Sequence, residues 1–240
     1  MELFYIPQLK EVNSLIEVFG PEARHITRVF RFKPGDEVLA TNGRGDEFRL
    51  VLKKVRPGRL VAKVLGKKTG GREPGRVLVL AQAVLKGEKL AQVVEGATEL
   101  GVNEVVPFIS ERVVGRLGEA KYRRLESVSV SAMKSSTRTV LPRIGRLVDV
   151  DGLVESFCSF DQVIVPYEEE KKAALVQVLN RDAMKIMVVI GPEGGFTPQE
   201  IEKMKAAGAV SCSLGPRRLR AETAAVAAIS IVFGLLGELG

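Results

Sequence analysis

The chain has 240 residues, of which 45% are hydrophobic and 27% charged, a composition that excludes disordered, collagen-like and coiled-coil proteins. Lys and Arg number 36 against 29 Asp and Glu, and the formal net charge of +7 indicates an acidic partner, with nucleic acid as the first candidate. Residues 1–70 hold 14 basic and 8 acidic residues, whereas residues 71–240 hold 22 and 21. The excess positive charge therefore belongs to the N-terminal region.

Several kinds of site lack the residues they need. One histidine, His25, and two separated cysteines, Cys158 and Cys212, are too few for a zinc site, a Cys–His nucleophile pair or a disulfide framework. The N-terminus lacks the apolar core of a signal peptide, and the longest apolar run, Ala224–Leu236, is shorter than the roughly 20 residues that span a membrane. We therefore expect reduced thiols, no metal, no membrane association and a cytoplasmic location.

The N-terminal region predicts a small β domain. Pro21–Val29 has the pattern of a short helix, and three β-rich runs follow (EVLAT, EFRLVLKKV and RLVAKVL). Turn signals at Asn42–Asp46 and Pro57-Gly58 separate these runs, as in a meander or small barrel. Gly66–Gly75 holds four glycines and a proline without apolar periodicity, which predicts a linker and a domain boundary near residue 70.

After residue 75 the pattern changes to alternating strands and helices, which indicates an α/β domain with a mostly parallel sheet. Leu90–Leu100 has the apolar spacing of an amphipathic helix, and Gly101 is a natural stop. The other predicted elements are strands at Val77–Val84, Val105-Val106, Val163–Val165 and Ile186–Ile190, and helices at 119–136 and 168–179.

The densest motif in the chain is a strand that runs into a glycine-rich loop, Ile190–Glu200 (IGPEGGFTPQE). Thr197 and Glu200 have the spacing of a capping box, and Pro198 stands at the first helical position. Ligands of open α/β sheets lie at the carboxyl ends of strands, where glycine lets the backbone approach them closely. A ligand loop and a tight strand–helix turn fit this sequence about equally.

A second loop, Ser213–Ala224 (SLGPRRLRAETA), also joins a strand to a helix. Its three arginines stand directly before an apolar helix, and the planar guanidinium suits phosphate and carboxylate ligands. The other interpretation is a solvated loop and a helix start at which Glu222 favours the dipole. The chain has no GxGxxG after a strand and no GxxxxGK[ST], so neither a dinucleotide fold nor a P-loop is indicated.

Together the two loops closely resemble the C-terminal motifs of the RsmE-type RNA methyltransferases of the SPOUT superfamily. The resemblance covers the whole chain. There are two departures from the family pattern: Gly96 stands where lysine is common, and Lys134-Ser135 stands where an acidic residue and glutamine are usual. The other matching segments are His25-x-x-Arg28-x-x-Arg31, Gly35-Asp36, Asn42-Gly43, Lys86-Gly87, Ala97–Val102, Ser110–Arg112, and Arg138 with Pro142.

The resemblance implies an α/β fold in which a SPOUT-type parallel sheet carries a C-terminal trefoil knot. A small PUA-like β-barrel domain precedes it. The implied division is an RNA-binding domain at residues 1–70 and a methyltransferase domain at residues 71–240. A homodimer through the knot and the final helix is also implied, although the apolar side chains of that helix fit an internal core helix as well.

The resemblance further implies S-adenosyl-L-methionine as methyl donor, without a metal. Three loops would hold it: the loop after Val163–Val165, the GPEGG loop and the LGPRRLR loop. The residues implied to bind the donor are Val165, Pro166, Ile190, Gly191, Pro192, Gly194, Gly195, Leu214, Gly215, Arg217 and Leu219.

The family's reaction is methylation of N3 of a specific uridine in small-subunit (16S) ribosomal RNA, with free RNA or the small ribosomal subunit as partner. N3 of uracil is a poor nucleophile while it keeps its proton, so an enzyme must position it and stabilise the uracil anion. We expect Arg220 to supply the positive charge and Glu222 to orient Arg220 or accept the proton. Glu222 is equally well explained as a residue favoured at a helix start.

In the N-terminal domain, Arg28, Arg31 and Lys33 are the candidate RNA contacts, because phosphate contacts supply most of the affinity for RNA. Aromatic residues make up only 5% of the chain and tryptophan is absent. This composition favours recognition of RNA phosphates and shape over extensive base stacking.

Two other functions stay open on the sequence. Another SPOUT activity, such as ribose 2′-O methylation or methylation of guanine, would share the cofactor loops. A non-enzymatic RNA-binding or ribosome-assembly factor would keep the basic domain and need no cofactor, but the intact GPEGG and LGPRRLR loops argue against it.

Overall fold

The computed structural model describes residues 2–239 and divides into two compact units. The first unit holds the chain up to Glu73 together with Val130–Leu141, and the second holds Pro74–Ser129 and the chain from Pro142 onward. The return of Val130–Leu141 to the first unit was not predicted. The functional division into an RNA-binding region at 1–70 and a methyltransferase region at 71–240 stays a prediction.

The first unit is built on a mixed five-stranded sheet. Its elements are β1 (Leu3–Tyr5), β2 (Leu15–Phe19), α1 (Pro21–Arg24), a π-helical turn (His25–Val29), β3 (Glu37–Thr41), β4 (Asp46–Arg56) and β5 (Arg59–Thr69). The strand order is β1-β3-β4-β5-β2, with β1 parallel to β3 and the other neighbours antiparallel. Alternate strand residues such as Phe48 and Leu50 point into a core that Phe4 and Ile26 complete.

Two predictions for this unit need revision. The expected helix at Pro21–Val29 is helical throughout, but its second half is a π-helix. The linker predicted from Gly66 is wrong up to Thr69, because β5 continues through these residues after a bulge at Leu65, where β5 has one residue more than β4. Lys67 contributes to this pairing, since its ammonium group lies 3.0 Å from Asp46 and 5.8 Å from the ring centre of Phe48.

A buried ion pair joins Val130–Leu141 to the rest of the first unit. Arg138 is only 3% exposed, and its Nε and Nη2 atoms donate to Glu73 Oε2 at 3.0 and 2.7 Å. The other carboxylate oxygen accepts the backbone N–H groups of Thr139 and Val140 at 2.7 and 2.9 Å. Such charge-assisted bonds are strong. Arg138, one of the residues that match the family pattern, therefore has a structural role.

The second unit contains a seven-stranded sheet in which every pairing is parallel. Its elements are β6 (Val77–Ala83), α2 (Lys89–Leu100), β7 (Glu104–Ile109), α3 (Glu119–Ser135), β8 (Arg143–Ile144), β9 (Val148–Asp149), α4 (Val150–Glu155), β10 (Gln162–Pro166), α5 (Leu175–Val178), β11 (Lys185–Ile190), α6 (Pro198–Ala206), β12 (Val210–Cys212) and α7 (Ala221–Leu235). The strand order is β12-β10-β11-β6-β7-β8, and β9 also pairs with β7.

Both faces of this sheet are covered, which explains the nearly continuous apolar runs in its strands. Along β11, Val188 belongs to the core that includes residues of α2 and α7, and its neighbour Val189 belongs to the core that includes residues of α4 and α6. The predicted α/β architecture with a parallel sheet is therefore confirmed. The strand order does not test the trefoil knot, which stays a prediction.

Most predicted elements of this unit are present. Gly101 ends α2 with a φ of +107°, as expected for a glycine stop. The helix predicted over 168–179 is wrong except at α5, because Glu168–Lys172 has no apolar face to bury and Ala174 forms a bridge to Ser213. The short elements β8, β9 and α4 were not predicted. Within residues 2–239, no helix has the length and apolar character needed to cross a membrane.

The two departures from the family pattern have local partners. A Cβ atom on Gly96 of α2 would lie 3.0 Å from Cγ2 of Val226 in the neighbouring α7, so a larger residue would require the Val226 side chain to move. Lys134 pairs at 3.0 Å with Glu22, whose other oxygen accepts the N–H of Tyr5. An acidic residue at position 134 would instead repel Glu22.

Candidate functional site

A cavity of about 610 Å³ lies in the second unit where β10, β11 and β12 end. Its wall consists of residues from three segments, 166–169, 190–196 and 213–221, with Lys89 and Ala224 beside them. These segments follow three adjacent parallel strands at their carboxyl ends, which is the usual ligand position in an open α/β sheet. The volume is typical of a small-molecule site.

The structure brings most of the predicted cofactor residues together. Two of them, Val165 and Gly194, are not part of the wall. Val165 is buried inside β10. Gly194 packs against Arg112: a Cβ atom added to Gly194 would lie 3.2 Å from the Cβ atom of Arg112. The predicted residues that do line the cavity are Pro166, Ile190, Gly191, Pro192, Gly195, Leu214, Gly215, Arg217 and Leu219.

Close packing in the glycine-rich loop favours glycine at two cavity-lining positions. Gly195 has a φ of +70°, and an added Cβ would lie 3.0 Å from Glu168 Oε1. An added Cβ on Gly191 would lie 3.0 Å from the ring of Phe196, which is itself stacked on Phe108. The loop is therefore a close-packed part of the cavity wall with main chain at its surface.

Two side chains from neighbouring strands and loops hold this glycine-rich loop by its carbonyl groups. The buried Gln82 at the end of β6 donates to the carbonyl oxygens of Ile190 and Gly191 at 3.5 and 3.4 Å. Arg112 donates through Nη1 to the carbonyl oxygens of Gly194 and Phe196 at 3.1 and 3.4 Å. Sequence reasoning missed both roles, although it noted the segment that contains Arg112.

Glu193, in the middle of the glycine-rich loop, is tied to the segment before α2. Its Oε1 accepts the backbone N–H of Lys86 at 3.1 Å and lies 3.3 Å from the Lys89 ammonium. Burial alone would raise the pKa of this carboxyl, but these hydrogen bonds outweigh it and the pKa lies below its ordinary value. Glu193 is thus an ionised part of the cavity wall at neutral pH.

The capping box predicted for the helix after this loop is present. Thr197 is the N-cap of α6, its hydroxyl accepts from the N–H of Glu200, and Glu200 Oε2 accepts the N–H of Thr197 at 2.9 Å. The other oxygen of Glu200 accepts the N–H of Glu111 at 2.9 Å. The same carboxylate therefore fixes the start of α6 and the segment that carries Arg112.

The arginine-rich segment before α7 supplies the positive groups of the cavity. Arg218 lies 3.0 Å from Glu168, an ion pair between two cavity segments, whereas Arg217 and Arg220 are exposed and have no ion pair within residues 2–239. Arg220 is the N-cap residue of α7. The predicted catalytic cation therefore lies in the cavity wall with its guanidinium available to a ligand.

Glu222, the second predicted catalytic residue, lies in the first turn of α7 and is not part of the cavity wall. Its Oε2 atom is buried and has no hydrogen-bond partner among the described residues. A buried carboxylate oxygen without a partner is unfavourable. This oxygen could therefore accept a hydrogen bond from a donor outside residues 2–239.

Neither cysteine provides a nucleophile for the cavity. Cys158 is exposed, follows α4 in the chain and does not line the cavity. Cys212, at the end of β12, is buried, and burial together with the charge of Glu170 raises the pKa of its thiol to about 12. No cluster of three or more His, Cys, Asp or Glu side chains suited to a metal occurs within residues 2–239.

The predicted RNA contacts lie together in the first unit. Arg28 belongs to the π-helical turn, and Arg31 and Lys33 follow it before β3. All three side chains are exposed, and none forms an ion pair within the described part of the chain. Their position suits an anionic ligand, although this does not test the prediction that the ligand is RNA.

Comparison with known families and proteins gives matches over nearly the whole chain. A family model described as an RNA methyltransferase domain matches residues 72–233, and one described as an RNA methyltransferase PUA domain matches residues 20–65. The chain is 30% identical to the ribosomal RNA small subunit methyltransferase E of Bacillus subtilis, with 97% of this chain and 96% of that protein covered. The enzyme of the same name from Mycobacterium bovis is 32% identical, with 96% and 90% covered.

A solved structure is similar over the same extent. It is a ribosomal RNA small subunit methyltransferase E from Neisseria gonorrhoeae bound to S-adenosyl methionine, with a TM-score of 0.89. The sequence identity is 26%, and 98% of each chain is covered. The similarity therefore includes both the sheet that forms the cavity and the N-terminal unit.

Proposed function

The chain belongs to the family of RsmE-type RNA methyltransferases, and from this premise we propose that it transfers a methyl group from S-adenosyl-L-methionine to N3 of a uridine in 16S ribosomal RNA. The observation that carries the proposal is the cavity at the carboxyl ends of β10, β11 and β12. Its wall contains the two loops whose sequences define the resemblance. The donor-bound state of the similar Neisseria protein supports the choice of ligand.

The chemistry of the cavity wall fits this methyl donor. Its apolar side chains and glycine backbone suit the adenosine and methionine parts, and its charged groups have both signs, as does a ligand with a sulfonium, an ammonium and a carboxylate. When bound, S-adenosylmethionine supplies a methyl group on a positively charged sulfur. The charged residues of the wall are Lys89, Glu168, Glu169, Glu193, Arg217, Arg218 and Arg220.

Arg220 is the residue to which we assign stabilisation of the uracil anion. Loss of the N3 proton places negative charge on the uracil oxygens, and a fixed guanidinium beside them lowers the free energy of that charge. Arg220 suits this role because it lines the cavity and has no ion pair within residues 2–239. Its position as the N-cap of α7 fixes its backbone.

Glu222 is the residue to which we assign orientation of Arg220 or acceptance of the N3 proton. The buried Oε2 atom without a partner within residues 2–239 supports the orienting role, since the guanidinium of Arg220, two residues earlier, is a donor that would satisfy it when the substrate is bound.

The proposal includes the partners and location implied by the resemblance. Arg28, Arg31 and Lys33 would contact ribosomal RNA, either free or in the small subunit, through its phosphates. The protein would act as a homodimer in the cytoplasm, where ribosomal subunits are assembled. The exposed Val226 and the largely apolar α7 support self-association through the final helix.

Calorimetry and product analysis test the proposal in sequence. Titration with S-adenosylmethionine should show binding to the purified full-length chain, and the protein should then methylate 16S ribosomal RNA from a strain that lacks the gene. Mass spectrometry of the RNA digest should place the methyl group on N3 of a uridine. Assays on naked RNA and on assembled subunits would identify the substrate form.

Each alternative function has its own signature in these experiments. A methyl group on a ribose 2′-oxygen or on guanine would replace the proposed activity by another SPOUT activity. Absence of S-adenosylmethionine binding, with RNA binding retained, would instead indicate a non-enzymatic RNA-binding or assembly factor.

A further inference from the structure

Four rings come together in the first unit, although they are spread over the first 32 residues of the chain. The centre of the Phe30 ring lies 5.0 Å from that of His25, 5.6 Å from that of Phe4 and 5.9 Å from that of Phe32. Phe4 is completely buried, so the cluster is anchored in the core of the unit. Phe30 is nevertheless 39% exposed, and the cluster therefore holds one aromatic ring partly open to solvent.

The backbone around Phe30 is irregular. Its N–H donates to the carbonyl of His25, an i to i+5 bond of the π-helical turn, and the N–H of Phe32 donates to the carbonyl of Ile26. Between them Arg31 has a φ of +56°, a left-handed conformation that is uncommon for residues other than glycine. π-Helical turns and left-handed non-glycine residues both recur at functional sites.

The charge around the ring identifies the kind of partner. Arg28 and Arg31 flank Phe30 in sequence, are exposed, and have no ion pair within residues 2–239. The neighbouring Val29 is 64% exposed, so apolar surface and positive charge occur together. Asp36, the next acidic residue along the chain, accepts the backbone N–H of Lys33 at 2.7 Å. An exposed ring flanked by free guanidinium groups suits a nucleotide, which has an aromatic base and an anionic phosphate.

We propose that Phe30 is a stacking site for an unpaired base of the RNA, and that Arg28 and Arg31 hold the phosphates beside that base. This inference rests on the proposed function and adds a specific contact to it. It also departs from the expectation that the low aromatic content favours phosphate and shape recognition alone. A single exposed ring, fixed by three others, needs few aromatic residues.

Substitution of Phe30 separates stacking from apolar packing. In binding assays with a labelled single-stranded RNA of mixed sequence, Phe30→Leu of the full chain should weaken affinity about 5- to 140-fold, the loss that corresponds to about 1–3 kcal/mol of stacking at 1.4 kcal/mol per tenfold. Phe30→Tyr, which keeps a π face, should bind as the wild type does. Thermal unfolding of both variants shows whether the cluster stays folded.

Two comparisons distinguish stacking from a general loss of affinity. Affinity for a duplex of the same RNA should change little in Phe30→Leu, because paired bases are not free to stack, and the slope of log affinity against log salt should stay the same because no charge is lost. Phe19→Leu is the matched control, since Phe19 is 55% exposed and lies 5.1 Å from Arg59. Wild-type affinity in Phe30→Leu, or an equal loss in Phe19→Leu, would overturn the inference.

A direct spectroscopic readout is available because the chain has no tryptophan. The fluorescence of F30W should be quenched on addition of the single-stranded RNA, whereas that of F19W should change little. Unquenched F30W fluorescence at saturating RNA would exclude base stacking at this position. If the wild type binds no RNA at all, the proposed function itself fails; if the wild type binds and Phe30→Leu binds equally, only the stacking site fails.

Discussion

The glycine-rich loop of the second unit and the segment after the π-helical turn of the first unit both place residues in the left-handed conformation, but they use different residues to do so. In the glycine-rich loop this residue is Gly195, with a φ of +70°, and Gly215 of the second cavity loop has a φ of +113°. In the first unit the residue is Arg31, with a φ of +56°. Glycine leaves the main chain uncovered for a ligand, whereas arginine keeps a charged side chain at the cost of backbone strain.

The surroundings of the two regions follow the same contrast. The glycine-rich loop is fixed through its carbonyl groups by Gln82 and Arg112. The segment of the first unit is fixed through the apolar contacts of Phe30, and its cations have no partners within the described residues. We infer that the cavity recognises its ligand largely through main chain, and that the first unit recognises RNA through side chains.

The largest effect is expected when Arg220, a cavity side chain with a chemical role, is replaced. Arg220→Ala should lower methyl transfer about 100- to 1000-fold, the typical loss for one group that stabilises a developing oxyanion. The dissociation constant of S-adenosylmethionine, measured by calorimetry, should change little because we assign the binding of this ligand largely to main chain. Arg146→Ala, an exposed arginine outside the cavity, is the control. Wild-type turnover in Arg220→Ala would contradict the catalytic assignment.

The next effect concerns the side chains of the first unit. Reversal of charge at Arg28, Arg31 and Lys33 together should weaken RNA affinity by at least about 100-fold, since each lost contact of unit charges in water contributes about 1 kcal/mol and reversal adds repulsion. The salt dependence of RNA binding should become shallower because fewer counterions are released. S-adenosylmethionine affinity should stay at the wild-type value. RNA affinity equal to that of the wild type would refute the assignment of these three residues.

A substitution in the glycine-rich loop tests main-chain recognition directly. Gly195→Ala should raise the dissociation constant of S-adenosylmethionine about tenfold, because a Cβ in the left-handed conformation costs about 1–2 kcal/mol and this one would also contact Glu168. Gly208→Ala is the matched control: its φ is +94°, and no atom lies within 4 Å of the added Cβ. The control should lose stability without losing affinity, and equal affinity losses in both variants would contradict the idea.

The same contrast explains what the sequence predicted. Two features could be predicted because each depends on a few residues at fixed local spacing. They are the capping box at Thr197 and Glu200 and the glycine stop at Gly101. Nine of the predicted cofactor residues line one cavity for a related reason, since adjacent parallel strands bring their following loops together. Short sequence motifs and the topology of a parallel sheet were sufficient to predict these features.

Features that depend on partners far apart in the sequence could not be predicted. Gln82 lies in an apolar strand, and its hydrogen bonds reach residues 108 and 109 positions further along the chain. The ring cluster around Phe30 depends on Phe4, whose position is set by the pairing of β1 with β3. The π-helical turn has no sequence signature that distinguishes it from an ordinary short helix. Tertiary structure alone reveals these contacts.

The smallest effect is expected when Arg31, the arginine with the left-handed backbone conformation, is replaced by glycine, the residue found in this conformation in the cavity. Arg31→Gly keeps the backbone conformation accessible and removes one cation, so RNA affinity should fall about fivefold, for a loss of about 1 kcal/mol, and the salt slope should fall by about one. The unfolding free energy should change by less than about 1 kcal/mol, because relief of strain is offset by the greater chain entropy of glycine. Arg56→Ala, an exposed arginine at the end of β4, controls for loss of charge elsewhere in the same unit. If RNA affinity is unchanged in Arg31→Gly, or falls equally in Arg56→Ala, the strained arginine serves no specific contact and the contrast between the two regions is limited to their backbones.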